Sequence, residues 1–218
     1  MLVGHLGAGL VAKSVEPKIG LGTLFAAAML LDIVLWILVL AGVEQARVPS
    51  DFASRHYLVF VFPYSHSLAG AVVLSIAAAA VWAFANGRAR LIAFAPAVIA
   101  ATVFSHWLLD LVVHQPEMTL WGQASPRFGL GLWDHQPAAL ATELAIAAIG
   151  LAVFLLRVKS GWVRRATVIG ILFLLAALTS VGAFVTQPPP NAAIAAGTSL
   201  AVIALAIVIG AAADRPKL

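Results

Sequence analysis

The stretch Ser105-His106-Trp107-Leu108-Leu109-Asp110-Leu111-Val112-Val113-His114 sets three ionisable side chains four residues apart in an otherwise apolar run. On an α-helix such residues lie within about 80° of one another, on one face. His-x3-Asp spacing lets an imidazole and a carboxylate converge on one ion from a single helix. Zinc, manganese and iron all accept nitrogen and oxygen donors of this kind. The chain has no cysteine, so disulfides and thiolate metal sites are excluded. Ionisable groups at membrane depth cost roughly 2.5 kcal/mol or more each, and they usually mark function.

The elements that must hold this run are membrane helices. Of the 218 residues, 62% are hydrophobic and only 10% charged, whereas a soluble domain has about 45–50% apolar and about 25% charged residues. Six apolar segments are each long enough for about 30 Å of hydrocarbon: Leu21–Gly42, Leu58–Ala85, Leu91–Val113, Pro137–Leu156, Ala166–Val185 and Ala192–Ala213. The expected fold is all-α, a polytopic transmembrane helix bundle of six full spans. A short apolar N-terminal helix, Met1–Ala12, adds either a half-span or a seventh span. The chain reads as a single membrane domain, 1–218, with metal-site helices in 1–145 and two scaffold helices in 160–213. No ionisable residue lies between Ala166 and Ala213.

Basic residues divide sharply between the loops. Lys13, Lys18, Arg88, Arg90, Arg157, Lys159, Arg164, Arg165, Arg215 and Lys217 fall on one side, and Arg47, Arg55 and Arg127 on the other. The positive-inside rule puts the first set, with the C-terminus, in the cytoplasm. The net charge of +4 is therefore a topology signal and does not imply a nucleic-acid partner.

Depth then links residues that are far apart in sequence. At about 1.5 Å per helical residue, His5 lies about 20 Å above the cytoplasmic Lys18, and Asp32 about 21 Å above it on the next helix. By the same rise His106 lies about 24 Å above Arg90, and Glu143 about 21 Å above Arg157. His66 lies about 30 Å along a helix counted from Asn86, which Pro63 would bend. These groups share the outer half of the bilayer. Ser65, Ser67 and Ser105 flank them and can orient the imidazoles by hydrogen bonds. Asp134 reads as a helix N-cap, and Trp121, Phe128 and Trp133 as an interfacial belt or a lid.

In chain order the set is His5, Asp32, Ser65-His66-Ser67, then His106-x3-Asp110. This order resembles the bacterial membrane-bound metal-dependent hydrolases, the YdjM-like proteins. More distantly it is similar to the zinc-dependent phospholipases C and single-strand nucleases. The resemblance covers about Met1–Glu143. It implies a bacterial inner-membrane protein in which His5, Asp32, His66, His106 and Asp110 hold one or two zinc ions, manganese or iron being alternatives, with Asp110 able to bridge. His114 and His135 are further metal candidates. Their spacing departs from the relatives, because His135 and Glu143 are eight residues apart rather than four. The implied activity is hydrolysis of a phosphoester in a lipid-like substrate within the membrane, with Asp32 or Glu143 as general base. Two other readings use the same residues: a proton or metal transporter or channel, and a non-catalytic membrane protein with a structural metal.

Overall fold

The computed structural model describes residues 1–87, 94–185 and 187–214. The predicted segment Leu91–Val113 therefore begins outside the described residues, as do the topology residues Arg88, Arg90, Arg215 and Lys217. The protein is an all-α bundle. Its helices are α1 (Val3–Val15), α2 (Leu21–Ala28), α3 (Leu30–Leu40), α4 (Phe52–Arg55), α5 (Leu68–Ala85), α6 (Phe94–Val113), α7 (Gln136–Arg157), α8 (Trp162–Phe184) and α9 (Ala192–Ala213). Two short antiparallel hairpins cover one end: β1 (Gln45–Arg47) with β2 (Val59–Val61), and β3 (Met118–Thr119) with β4 (Arg127–Phe128). Among the described residues, α5 to α9 are each long and apolar enough to cross a membrane, and the bent pair α2 and α3, counted as one span, brings the number to six.

α1 is a different kind of element. It has 13 residues, too few to span about 30 Å at 1.5 Å each. It is nevertheless buried over most of Val3 to Lys13, with Val11 and Val15 left exposed on one side. Its main partner is α7, and glycine makes the approach close. A Cβ on Gly7 would lie 2.7 Å from the Ile146 carbonyl oxygen, and one on Gly150 would collide with the Gly7 backbone. This contact brings Glu143, two turns before Gly150, against the first turn of α1.

Two expected boundaries differ from the observed ones. The predicted span Leu58–Ala85 starts as helix only at Leu68. Val59–Val61 pairs as a strand with Gln45–Arg47, and the Ser67 hydroxyl accepts from Gly70 N at 2.9 Å as the N-cap of α5. The span Leu21–Gly42 is bent by 56° where α2 meets α3. No proline or glycine stands at Ala27-Ala28-Met29-Leu30. The bend has a tertiary cause: the Ala28 carbonyl, released from the helical ladder, accepts from His106 Nδ1 at 2.7 Å.

Candidate metal centre

Four elements meet at the end of the bundle that carries the hairpins. On α6, residues Ile99, Val103, His106, Asp110 and Val113 form one buried face, the spacing that packs a helix into a core. His106 and Asp110 project from that face, 0% and 1% exposed. The break after Ala28 puts Asp32 into the first turn of α3. His66 reaches in from the turn before α5, not from the continuous helix expected from Leu58 onward. His5 comes from α1 and stacks on His106 with ring centroids 3.6 Å apart and planes within 8°.

The donor atoms face one another. Asp110 Oδ2 lies 3.0 Å from His106 Nε2 and 3.4 Å from His66 Nε2. Asp32 Oδ1 lies 3.5 Å from His66 Nε2 and 3.6 Å from His106 Nε2. A tetrahedral ion with bonds of about 2.0–2.1 Å separates its donors by about 3.3 Å, so these four contacts have the lengths of tetrahedron edges. Two overlapping groups could each hold an ion, His66/His106/Asp110 and His5/Asp32/His106. The other oxygen of Asp110, Oδ1, lies 3.0 Å from His5 Nε2 and 3.3 Å from the Met1 α-amine.

The hydrogen bonds behind the rings fix what those nitrogens can do. The Ala28 carbonyl can only accept, so His106 Nδ1 carries a proton, and in the neutral ring Nε2 is bare. That Nε2 is buried without a hydrogen-bond partner although Asp110 Oδ2 is 3.0 Å away. A bare lone pair facing a carboxylate in a dry interior is repulsive unless a proton or a metal ion stands between them. His114 repeats the arrangement one turn beyond Asp110, just past the end of α6. Its Nδ1 is 2.7 Å from Glu117 Oε1, and its Nε2 points to Asp110 Oδ2 at 3.7 Å. The donor set and its orphaned nitrogen therefore fit a divalent ion.

The remaining sequence candidates sort by partner. Ser65 joins the centre: its hydroxyl lies 2.9 Å from His66 Nδ1 and donates to Glu44 Oε2 at 2.6 Å. Ser67 and Ser105 do not orient an imidazole. Ser67 caps α5, and Ser105 donates to the Thr102 carbonyl at 2.7 Å, a bond within its own helix. Glu143 is not placed as a base. Its Oε1 accepts from the amides of Leu2, Val3 and Gly4 at 2.5, 2.8 and 3.4 Å, because the first amides of a helix lack intrahelical partners. His135 is exposed at the start of α7 and belongs to neither donor group. The expected N-cap Asp134 instead ends a 3-10 turn and accepts from the Tyr57 hydroxyl at 3.1 Å.

Two carboxylates that sequence reasoning passed over stand behind the centre. Glu44, 2% exposed, accepts from the amides of Tyr64 and Ser65 at 2.9 Å each, as well as from the Ser65 hydroxyl. Glu117 holds His114 Nδ1 and accepts from Phe60 N at 3.2 Å. The one available signal was Glu44 itself, an acid directly after an apolar span. Above the centre, the Trp133 ring lies 4.2 Å from that of His114, while Trp121 is 66% exposed. Comparison with protein-family models, with curated proteins and with solved structures gives no match.

Proposed function

We propose that the protein is an integral membrane metal-dependent hydrolase, related to the YdjM-like proteins, whose centre binds zinc and acts on a phosphoester of a lipid-like substrate. The observation that carries the metal is the buried His106 Nε2, without a hydrogen-bond partner and set against Asp110 Oδ2, within four donor contacts of 3.0–3.6 Å. One divalent ion would neutralise the two carboxylates. The hydrolase and lipid parts rest on the order of the ligands in the chain and on the membrane setting. Bound zinc supplies an activated water and stabilises the charge that develops on a phosphoryl oxygen.

The chain's own residues divide the remaining work. His106 and His66 hold their Nε2 atoms toward the centre. Asp110 ties α6 to α1 through His5. Asp32 is the open edge of the cluster, with its side chain 20% exposed where Asp110 and the imidazoles of His5, His66 and His106 are at 1% or less. It is the group that can take a proton from a water on the substrate side. By the charge of the loops, this end faces the periplasm and the C-terminus the cytoplasm.

Elemental analysis of purified protein tests the metal. Zinc is expected at one or two ions per chain. His106→Ala and Asp110→Ala should each weaken binding by at least about 100-fold, the upper end of what loss of an outer partner alone costs. Protein free of transition metal after zinc supplementation would overturn the reading. A second reading, a proton relay, is favoured by the run of imidazoles from His106 through His66 to His114, with ring centroids 5.3 and 6.2 Å apart. Proton flux through reconstituted protein that contains no metal would select it.

A further inference from the structure

We propose that Glu44, acting through the Ser65 hydroxyl, sets which nitrogen of His66 faces the centre, and is thus a positioning residue for metal binding. The inference rests on the metal reading above, but its first step concerns the free protein. Ser65 has one hydroxyl proton. Glu44 Oε2, 2.6 Å away, can only accept, so that proton is committed to Glu44. The Ser65 oxygen is then left to accept from its other neighbour, His66 Nδ1, at 2.9 Å. His66 therefore carries a proton on Nδ1, and as a neutral ring presents a bare Nε2 to Asp32 and Asp110, 3.5 and 3.4 Å away. A neutral imidazole can ligate only through the bare nitrogen. Direction is thus imposed from Glu44 outward, and every member of the relay is buried.

The chain uses three different acceptors for the same purpose. His106 is set by a backbone carbonyl, His114 directly by Glu117, and His66 by Glu44 at one remove. The last can be reversed at one remove by exchanging a single atom type. In Glu44→Gln the amide oxygen can keep the bonds to the Tyr64 and Ser65 amides. Its nitrogen then takes the place of Oε2 and must donate to the Ser65 oxygen. The hydroxyl turns round and donates to His66 Nδ1, so the His66 proton moves to Nε2, which now points a hydrogen at the ion.

The test uses full-length protein labelled with nitrogen-15 at histidine, in detergent micelles, with zinc as the only added ligand. Wild-type, metal-free protein should show His66 protonated on Nδ1, and Glu44→Gln should show it on Nε2. Zinc affinity should fall by about 10–100-fold in Glu44→Gln, the cost found when an outer partner of a metal-bound histidine is lost. Ser65→Ala keeps both Glu44–amide bonds, so it tests the relay even if Glu44→Gln does not fold. It should also lose affinity, and Ser65→Thr, which restores a hydroxyl, should regain it. Unchanged tautomer and unchanged zinc affinity in Glu44→Gln or in Ser65→Ala would overturn the proposal. A reversed tautomer in a protein that binds no zinc even as wild type would keep the relay and remove the metal reading. Zinc binding that depends on His106 and Asp110 but not on Glu44 would do the opposite.

Discussion

Two buried polar clusters lie near the opposite ends of α1, and the chain closes them differently. At one end Lys13 Nζ donates to the carbonyls of Pro17 and Ile19 at 2.8 and 2.7 Å, and to Asp214 Oδ2 at 2.7 Å. Asp214 also accepts from Leu21 N at 2.6 Å and pairs with Arg164 at 3.2 Å. Every Lys13 donor is used, and the carboxylate meets cations from the chain itself. At the other end Asp32 Oδ1 and Asp110 Oδ2 meet only imidazoles. Apart from those imidazoles, the one chain cation in reach among the described residues is the Met1 α-amine, and it touches Asp110 Oδ1 alone. A cluster that supplies its own counter-charge is a clasp between helices. One that sets imidazoles against carboxylates is balanced only by protons on those rings or by a metal ion, and the donor spacing suits the ion.

Breaking each cluster in turn should separate the two roles. Lys13→Met leaves Asp214 with a poorer partner in a site where the Lys13 side chain is 4% exposed. Removing one partner of a buried pair costs about 3–5 kcal/mol, so a large drop in the unfolding midpoint is expected, with zinc per folded chain unchanged. Asp110→Asn should show the reverse pattern, with zinc lost and the metal-free protein as stable as wild type or more so. Thermal unfolding with and without chelator, read beside metal content, decides this. If Lys13→Met lost its metal as readily as Asp110→Asn, the two ends would not be independent.

The next effect is smaller and lies within the centre. His114→Ala should weaken zinc binding about tenfold, on the scale of an outer-shell loss, since its Nε2 is 3.7 Å from Asp110 Oδ2 and outside both donor groups. His135→Ala should leave zinc affinity unchanged, because that ring is exposed at the start of α7. Titration with zinc against a competing chelator measures both. Equal losses would mean that the outer loop folds over the centre in a way this structure does not hold.

These contrasts follow what was legible in the chain. The all-α bundle could be read from the apolar segments, since length and hydropathy alone decide which helices can span. His106 and Asp110 were legible because one helix carries both, so spacing equals geometry. His5, Asp32 and His66 could be grouped by depth, but depth gives a level and no partner. Glu143 shares that level and yet turns to the amides of α1. The break between α2 and α3 has no local signature, because its cause is an imidazole seventy-eight residues away. Glu44 and Glu117 were hidden for a related reason: each acts through a loop turn whose path no periodicity describes. By contrast, the start of α5 was written in Ser67 and Pro63, and a capping argument would have placed it.

The smallest effect concerns how the centre is covered. Tyr57 packs on Trp133 at 5.3 Å, and its hydroxyl donates to Asp134 Oδ1 at 3.1 Å while accepting from Arg55 Nη1 at 2.7 Å and Gln115 Nε2 at 3.3 Å. It thus latches the loop after β1 to the segment that lays Trp133 on His114. Burial pushes the Tyr57 phenol above its ordinary value of 10.0, against the opposing pull of Arg55. A phenol held above its unfolded value stabilises the fold below that value, and the contribution is lost as pH rises through the folded value. The latch should therefore persist at neutral pH and open only above about 10. Tyr57→Phe keeps the ring and removes the hydroxyl, at a cost of about 1 kcal/mol for bonds partly replaced by water. Zinc content should not change. Release of zinc to a chelator at neutral pH should quicken a few-fold, on the order of the factor that about 1 kcal/mol represents. In wild type that rate should climb as pH rises through the raised folded value, above 10, and in Tyr57→Phe the climb should be absent. A release rate indifferent to both the substitution and pH would mean that the ion leaves by another route, past Asp32, and that Trp133 guards nothing.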